Sequence, residues 1–121
     1  MKKGRIKDLN WKKRFSYTKH VVYDEKDFKK KGTKFQIVKF VPGESIKPHY
    51  HKVQTEVFYV VEGKGIVKIN GKDHNLKVGD FFLCEKGDTH EFINNSKDDL
   101  IVLVFRVDEP PDGDLNWAEG V

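Results

Sequence analysis

The chain is poor in cysteine, methionine and glutamine, and each scarcity excludes something. One cysteine, Cys84, stands among 121 residues. No intrachain disulfide can form, so a core must hold the fold, and a reducing, cytoplasmic compartment is expected. No apolar run approaches the ~20 residues a membrane-spanning helix needs. The basic start at Met1–Arg5 has no apolar stretch behind it, unlike a signal peptide. A soluble protein without membrane contact is expected. No dinucleotide fingerprint or phosphate loop is present, because Gly63-Lys64-Gly65 lacks a third glycine, so no organic cofactor is expected. No helix-turn-helix pattern and no internal repeat is found. One methionine and two glutamines stand against twenty lysines, a hyperthermophile tendency.

What is abundant is unevenly spread. Residues 1–34 hold 13 basic and 4 acidic side chains, residues 35–107 hold 10 of each, and residues 108–121 hold 5 acidic and none basic. The basic arm reads as a solvated surface partly met by the acidic tail, and no nucleic-acid partner is expected. The length fits one domain, 1–121, with an N-terminal arm (1–34), a barrel core (35–107) and an acidic C-terminal tail (108–121). The tail is expected to dock through Trp117.

Strand-forming stretches separated by Gly, Asn and Asp turns follow one another from Arg14 to Val107. They comprise Arg14–Tyr23, Phe35–Val41, Ile46–His51, Glu56–Val61, Ile66–Ile69, His74–Leu76, Phe81–Cys84, His90–Ile93 and Leu100–Val107. Glu62–Gly65 reads as a hairpin turn after which Ile66–Ile69 pairs back. Asn70-Gly71 is a type I′ signal. Many short strands predict an all-β double-sheet barrel. Glu56, Phe58, Val60 and Phe92 are expected inside, and Phe35 and Ile37 would add an apolar wall if they face inward.

Two blocks carry the chemistry. The first is Gly43-x5-His49-x-His51-x4-Glu56-x6-Gly63; the second is Gly79-x5-Glu85-x-Gly87-x2-His90-x3-Asn94. Residues i and i+2 of a strand share a face, so His49 and His51 aim at one point. Glu56 and His90 open later strands and reach that point only if the sheet curls on itself. Three neutral imidazoles and a carboxylate suit one divalent transition metal: Fe, Mn, Ni, Cu, Co or Zn. His20 and His74 are read as lacking chemistry, Asn94 as pinning a turn, and Cys84 as a small buried hydrophobe.

At these positions the chain resembles the cupin superfamily. The first block matches that family's first motif throughout, and the second matches except that Glu85 replaces a proline. The resemblance implies a jelly-roll (double-stranded β-helix) barrel with His49, His51, Glu56 and His90 as metal ligands. It also implies a homodimer with covered edge strands. The expected function is that of a small metal-dependent enzyme, a sugar or keto-acid isomerase or epimerase, or a dioxygenase. The alternative is a non-catalytic module that binds or senses a small molecule in the same pocket.

Overall fold

The computed structural model describes residues 1–118; the acidic-tail residues 119–121 lie outside it. Two antiparallel sheets face each other. The six-stranded sheet runs β1 (Lys12–Arg14), β2 (Tyr17–Tyr23), β3 (Lys34–Phe40), β10 (Leu100–Val107), β5 (Thr55–Glu62) and β8 (Phe81–Cys84). The five-stranded sheet runs β11 (Asn116–Trp117), β4 (Ser45–Tyr50), β9 (His90–Ile93), β6 (Lys64–Ile69) and β7 (Lys72–Lys77). This is the expected all-β jelly roll. Among the described residues no helix is long and apolar enough to cross a membrane.

The two-residue period decides what faces inward. On β5, Glu56, Phe58 and Val60 are buried while Val57 and Tyr59 are exposed. Phe58 and Val60 meet Phe40, Ile46, Val67, Phe92, Leu100, Val102 and Val104 in one core, where Phe40 stacks on Phe92. On strand β3 the condition set for Phe35 and Ile37 is not met. Gln36, Val38 and Phe40 face the interior, and Phe35 lies on the outer side, stacked against Tyr23. Each phase of Lys34–Phe40 carries two apolar residues, so its pattern does not choose between them.

Three local features also differ from expectation. The stretch Arg14–Tyr23 is two strands, broken at Phe15, whose φ of 44° places it in the left-handed region. The connection after Tyr23 contains a short helix, α1 (Glu25–Phe28), capped reciprocally by Asp24 and Asp27. The third lies at Gly63. Strands β5 and β6 do not form a hairpin: β6 pairs with β7 and β9, so the chain changes sheet at that residue. Gly63 has φ 80°, and a Cβ there would lie 2.1 Å from the carbonyl oxygen of Asp99. Glycine is needed because another backbone passes against it. By contrast Asn70 and Gly71, with φ of 51° and 81°, form the type I′ turn their sequence predicts.

This gives a first prediction. Gly63→Ala should cost about 2–4 kcal/mol, combining left-handed strain with a backbone clash. Gly71→Ala, whose Cβ would meet nothing within 4 Å, should cost about 1–2 kcal/mol. Urea unfolding of the two variants measures the difference, and equal costs would contradict the close approach at Gly63.

Candidate metal centre

Each sheet supplies part of the centre. His49 and His90 are register partners on β4 and β9, with ring centroids 4.2 Å apart. His51 follows immediately after β4. One ring nitrogen from each of His49, His51 and His90 lies within 4.8 Å of the others, and all three residues are buried. Glu56 comes from the opposite sheet and falls outside that mutual distance. Its Oε1 nevertheless lies 2.7 Å from His51 Nε2 and 3.5 Å from His90 Nε2. The four residues singled out from the sequence thus converge.

The imidazoles are oriented by backbone carbonyls. Nδ1 of His49 meets the carbonyl of Lys47 at 2.9 Å, that of His51 meets Asp114 at 2.7 Å, and that of His90 meets Asp88 at 3.2 Å. A carbonyl only accepts, so each Nδ1 donates its hydrogen. A ring held this way keeps, when neutral, its lone pair on Nε2. Nε2 of His51 has no aligned hydrogen-bond partner despite the nearby Glu56 oxygen. Buried lone pairs turned toward a common point fit a metal ion.

Charge separates His49 from His51. Burial, with His90 alongside, lowers His49 to about 4, so its ring is neutral near pH 7. Burial also opposes charge on His51, but Glu56 outweighs it and raises the His51 value. Burial alone would raise the Glu56 carboxyl. His51, His90 and Arg106 reverse this and hold it well below the ordinary carboxylate range.

Two contributors were not singled out from the sequence. Arg106, the register partner of Glu56, approaches Glu56 Oε2 at 2.8 Å. Its signal was an arginine interrupting the apolar run Leu100–Val107. Asp114 had no local signal. Its carboxylate accepts hydrogen bonds from the backbone N–H groups of Lys52, Val53 and Gln54, at 3.1, 2.7 and 2.9 Å. Its carbonyl holds His51. The tail therefore reaches the site through Asp114 and the two-residue strand β11, while Trp117 stays 44% exposed against Phe15. An anchor made by burying Trp117 is not what docks it.

The departure at Glu85 acquires a reason. Its backbone N–H donates to the Asp88 carboxylate at 2.9 Å, a bond proline could not make. Asp88 supplies the carbonyl facing His90. Glu85 itself is exposed and does not enter the cavity. Asn94 is fully buried and donates to the carbonyls of Phe40 and Asp98, at 2.7 and 2.8 Å, as its turn role required. Cys84 is buried and free, its thiol pushed up to about 12 by burial. Glu44 and Glu91 do not line the cavity.

The cavity beside the histidines measures about 320 Å³, at the small end of the ~300–1,000 Å³ typical of small-molecule sites. Phe58, Phe92 and Val104 form apolar walls, and Tyr17, Lys19, Gln36, Gln54 and Arg106 supply polar groups. Burial and the charges of Arg106, Arg14 and Lys34 lower Lys19 to about 8.

A family model described as the cupin domain matches residues 36–106. The chain belongs to the cupin family. Over 69 residues this cupin is 35% identical to an oxalate-binding protein of Thermotoga maritima, the match covering 57% of each chain. The matched stretches span between 38% and 62% of the length of the curated relatives. A solved structure from Thermotoga maritima, described as a predicted oxalate decarboxylase, superimposes with a TM-score of 0.77 at 25% identity. It covers 85% of this cupin and 96% of that chain. The polyketide cyclase RemF of Streptomyces resistomycificus superimposes at 0.81 and 21% identity, covering 98% and 85%, which shows the shared fold.

The Asp114 carboxyl lies below its ordinary value: burial opposes this, and the three N–H donors outweigh it. Ionised Asp114 therefore stabilises the fold above the unfolded value of about 3.9, and that contribution is lost as pH falls through the lower folded value. Asp114→Asn should cost about 2 kcal/mol at pH 7 and flatten the loss of stability below about pH 4. Thermal unfolding across pH measures both; an unchanged acid limb would contradict the assignment.

Proposed function

We propose that this cupin holds one divalent transition metal through Nε2 of His49, His51 and His90 and Oε1 of Glu56, and acts on an oxygen-rich small molecule. The observation that carries this reading is the common orientation of the imidazoles, each with Nδ1 turned to a carbonyl. Glu56 fits as the remaining ligand because Arg106 occupies its other oxygen. A bound divalent cation would supply Lewis-acid polarisation of a carbonyl or hydroxyl oxygen, or a redox centre. Phe58 and Phe92 would exclude water, and Arg106 would hold Glu56 ionised and fixed. The oxalate-binding relative supports a ligand that presents oxygen atoms.

A second reading, binding or sensing without turnover, is favoured by one observation. All three carboxylates at the cavity are engaged: Glu56 by Arg106, Glu109 by Lys34 and Arg106, and Asp114 by backbone N–H groups. None is left free as a general base, so isomerase or dioxygenase chemistry would depend on the metal. The buried free thiol of Cys84 supports a reducing, cytoplasmic setting.

Metal analysis of protein purified without added metals tests the centre. We expect close to one metal per chain in the wild type and none in the His49→Ala/His51→Ala double variant, with the β-sheet circular dichroism of both alike. Glu56→Gln should weaken the metal by about 10–100-fold. Wild-type protein without metal, even after loading, would overturn the reading. A subsequent screen of carbonyl, enediol and catechol compounds separates turnover from binding alone.

We also propose a homodimer formed at the open edge of the six-stranded sheet. Phe81 and Leu83 on edge strand β8 are 76% and 52% exposed, beside Val57 and Tyr59 on the same face. An unpaired apolar edge calls for cover. Sedimentation should show a dimer in the wild type and a monomer in Phe81→Lys/Leu83→Lys; a monomeric wild type would contradict it.

A further inference from the structure

The cavity has a cationic side as well as a histidine side. Lys19 on β2, Lys34 on β3 and Arg106 on β10 line it, with exposed Arg14 at its rim. Two carboxylates answer these cations. Glu56 takes Arg106, and Glu109 takes Lys34 at 2.8 Å as well as Arg106. Lys19 is partly buried and, among the described residues, forms no ion pair. One inner positive charge is left over.

The same cavity holds unmet hydrogen-bonding groups. Gln36 and Gln54 are 3% and 1% exposed, and Oε1 of each lacks a donor. Nε of Arg106 is buried without an acceptor. Buried polar groups are ordinarily satisfied, so such a set marks what a ligand must bring. The glutamine oxygens ask for hydroxyl groups, and the lysine asks for an anion.

We propose that the pocket is built for a small polyhydroxylated monocarboxylic acid, its carboxylate at Lys19 and its hydroxyls at Gln36, Gln54 and the three-histidine group. This deepens the metal-pocket reading and rests on it for the histidine end. Lys19 is the inner cation without a carboxylate partner, and Glu109 beside it would repel a phosphate dianion more strongly than a monoanion. The small cavity sets the size, and the unmet amide oxygens separate a hydroxy acid from a fatty acid.

Calorimetry on metal-loaded protein tests this with four probes: D-gluconate, D-glucitol, hexanoate and D-glucitol 6-phosphate. Gluconate should bind at least about tenfold more tightly than any of the others, as one charged hydrogen bond predicts. Lys19→Met should remove that advantage over glucitol and leave metal content unchanged. Lys19→Gln, a polar replacement, should do the same and guards against misfolding of the first variant. Gln36→Leu should weaken gluconate and glucitol together while sparing hexanoate. Gluconate binding no tighter than glucitol, tighter binding of the phosphate, or wild-type gluconate affinity in both Lys19 variants would each overturn the proposal. Metal content measured on the same samples keeps the two readings apart. Metal present without preference for the acid overturns the acid site alone. No metal, with a Lys19-dependent preference intact, overturns the metal centre alone.

Discussion

Everything at the functional end of this barrel depends on three backbone carbonyls. An isolated imidazole shifts its proton between two nitrogens and rotates freely. Lys47, Asp88 and Asp114 remove both freedoms by accepting from Nδ1. The rings then present lone pairs inward, buried where an unmet acceptor is costly. The three carbonyls come from one strand, one turn and the tail, so the fold must bring all three into place before the histidines are oriented. Two of these residues are pinned through their own carboxylates: Asp88 accepts from the backbone N–H of Glu85, and Asp114 from those of Lys52, Val53 and Gln54.

A second level of organisation is electrostatic. Lys34, Arg106 and Glu56 lie on adjacent strands in one register row. Neighbouring strands are about 4.8 Å apart, so the two cations stand side by side, with Glu109 bridging them and Glu56 meeting Arg106 on its other side. Arg106 fixes one oxygen of Glu56 and directs the other toward His51 and His90. The row continues into apolar layers of Phe58, Val104 and Val60, Val102. Buried charge is thus gathered at one end of the barrel, and the buried polar group toward the other end, Asn94, is uncharged.

How much of this was legible follows from the range of the signals. The histidine pair was readable because strand parity is fixed by a two-residue period. Glu56 and His90 were readable from their offsets to turn glycines. Gly63 was misread because a positive-φ glycine between two strands serves a hairpin and a change of sheet equally well. Strand β3 was open to either phase because Gln36 shares a parity with Val38 and Phe40. Asp114 could not have been found, since it acts through its carbonyl and three backbone N–H groups, 63 residues from the histidine it orients. Arg106 lay between these extremes. A lone arginine in an otherwise apolar strand is conspicuous, but its partner appears only once β10 is laid beside β5.

The placement of Asp114 bears on how the protein is made. A ribosome delivers the chain from its N-terminal end, and segments fold as they emerge. The motif histidines, Glu56 and Arg106 are all present before residue 114 is synthesised. A barrel could therefore collapse around its apolar layers with His51 still free to rotate. The orientation of His51 thus depends on a segment 63 residues away being seated, a requirement the apolar layers do not share.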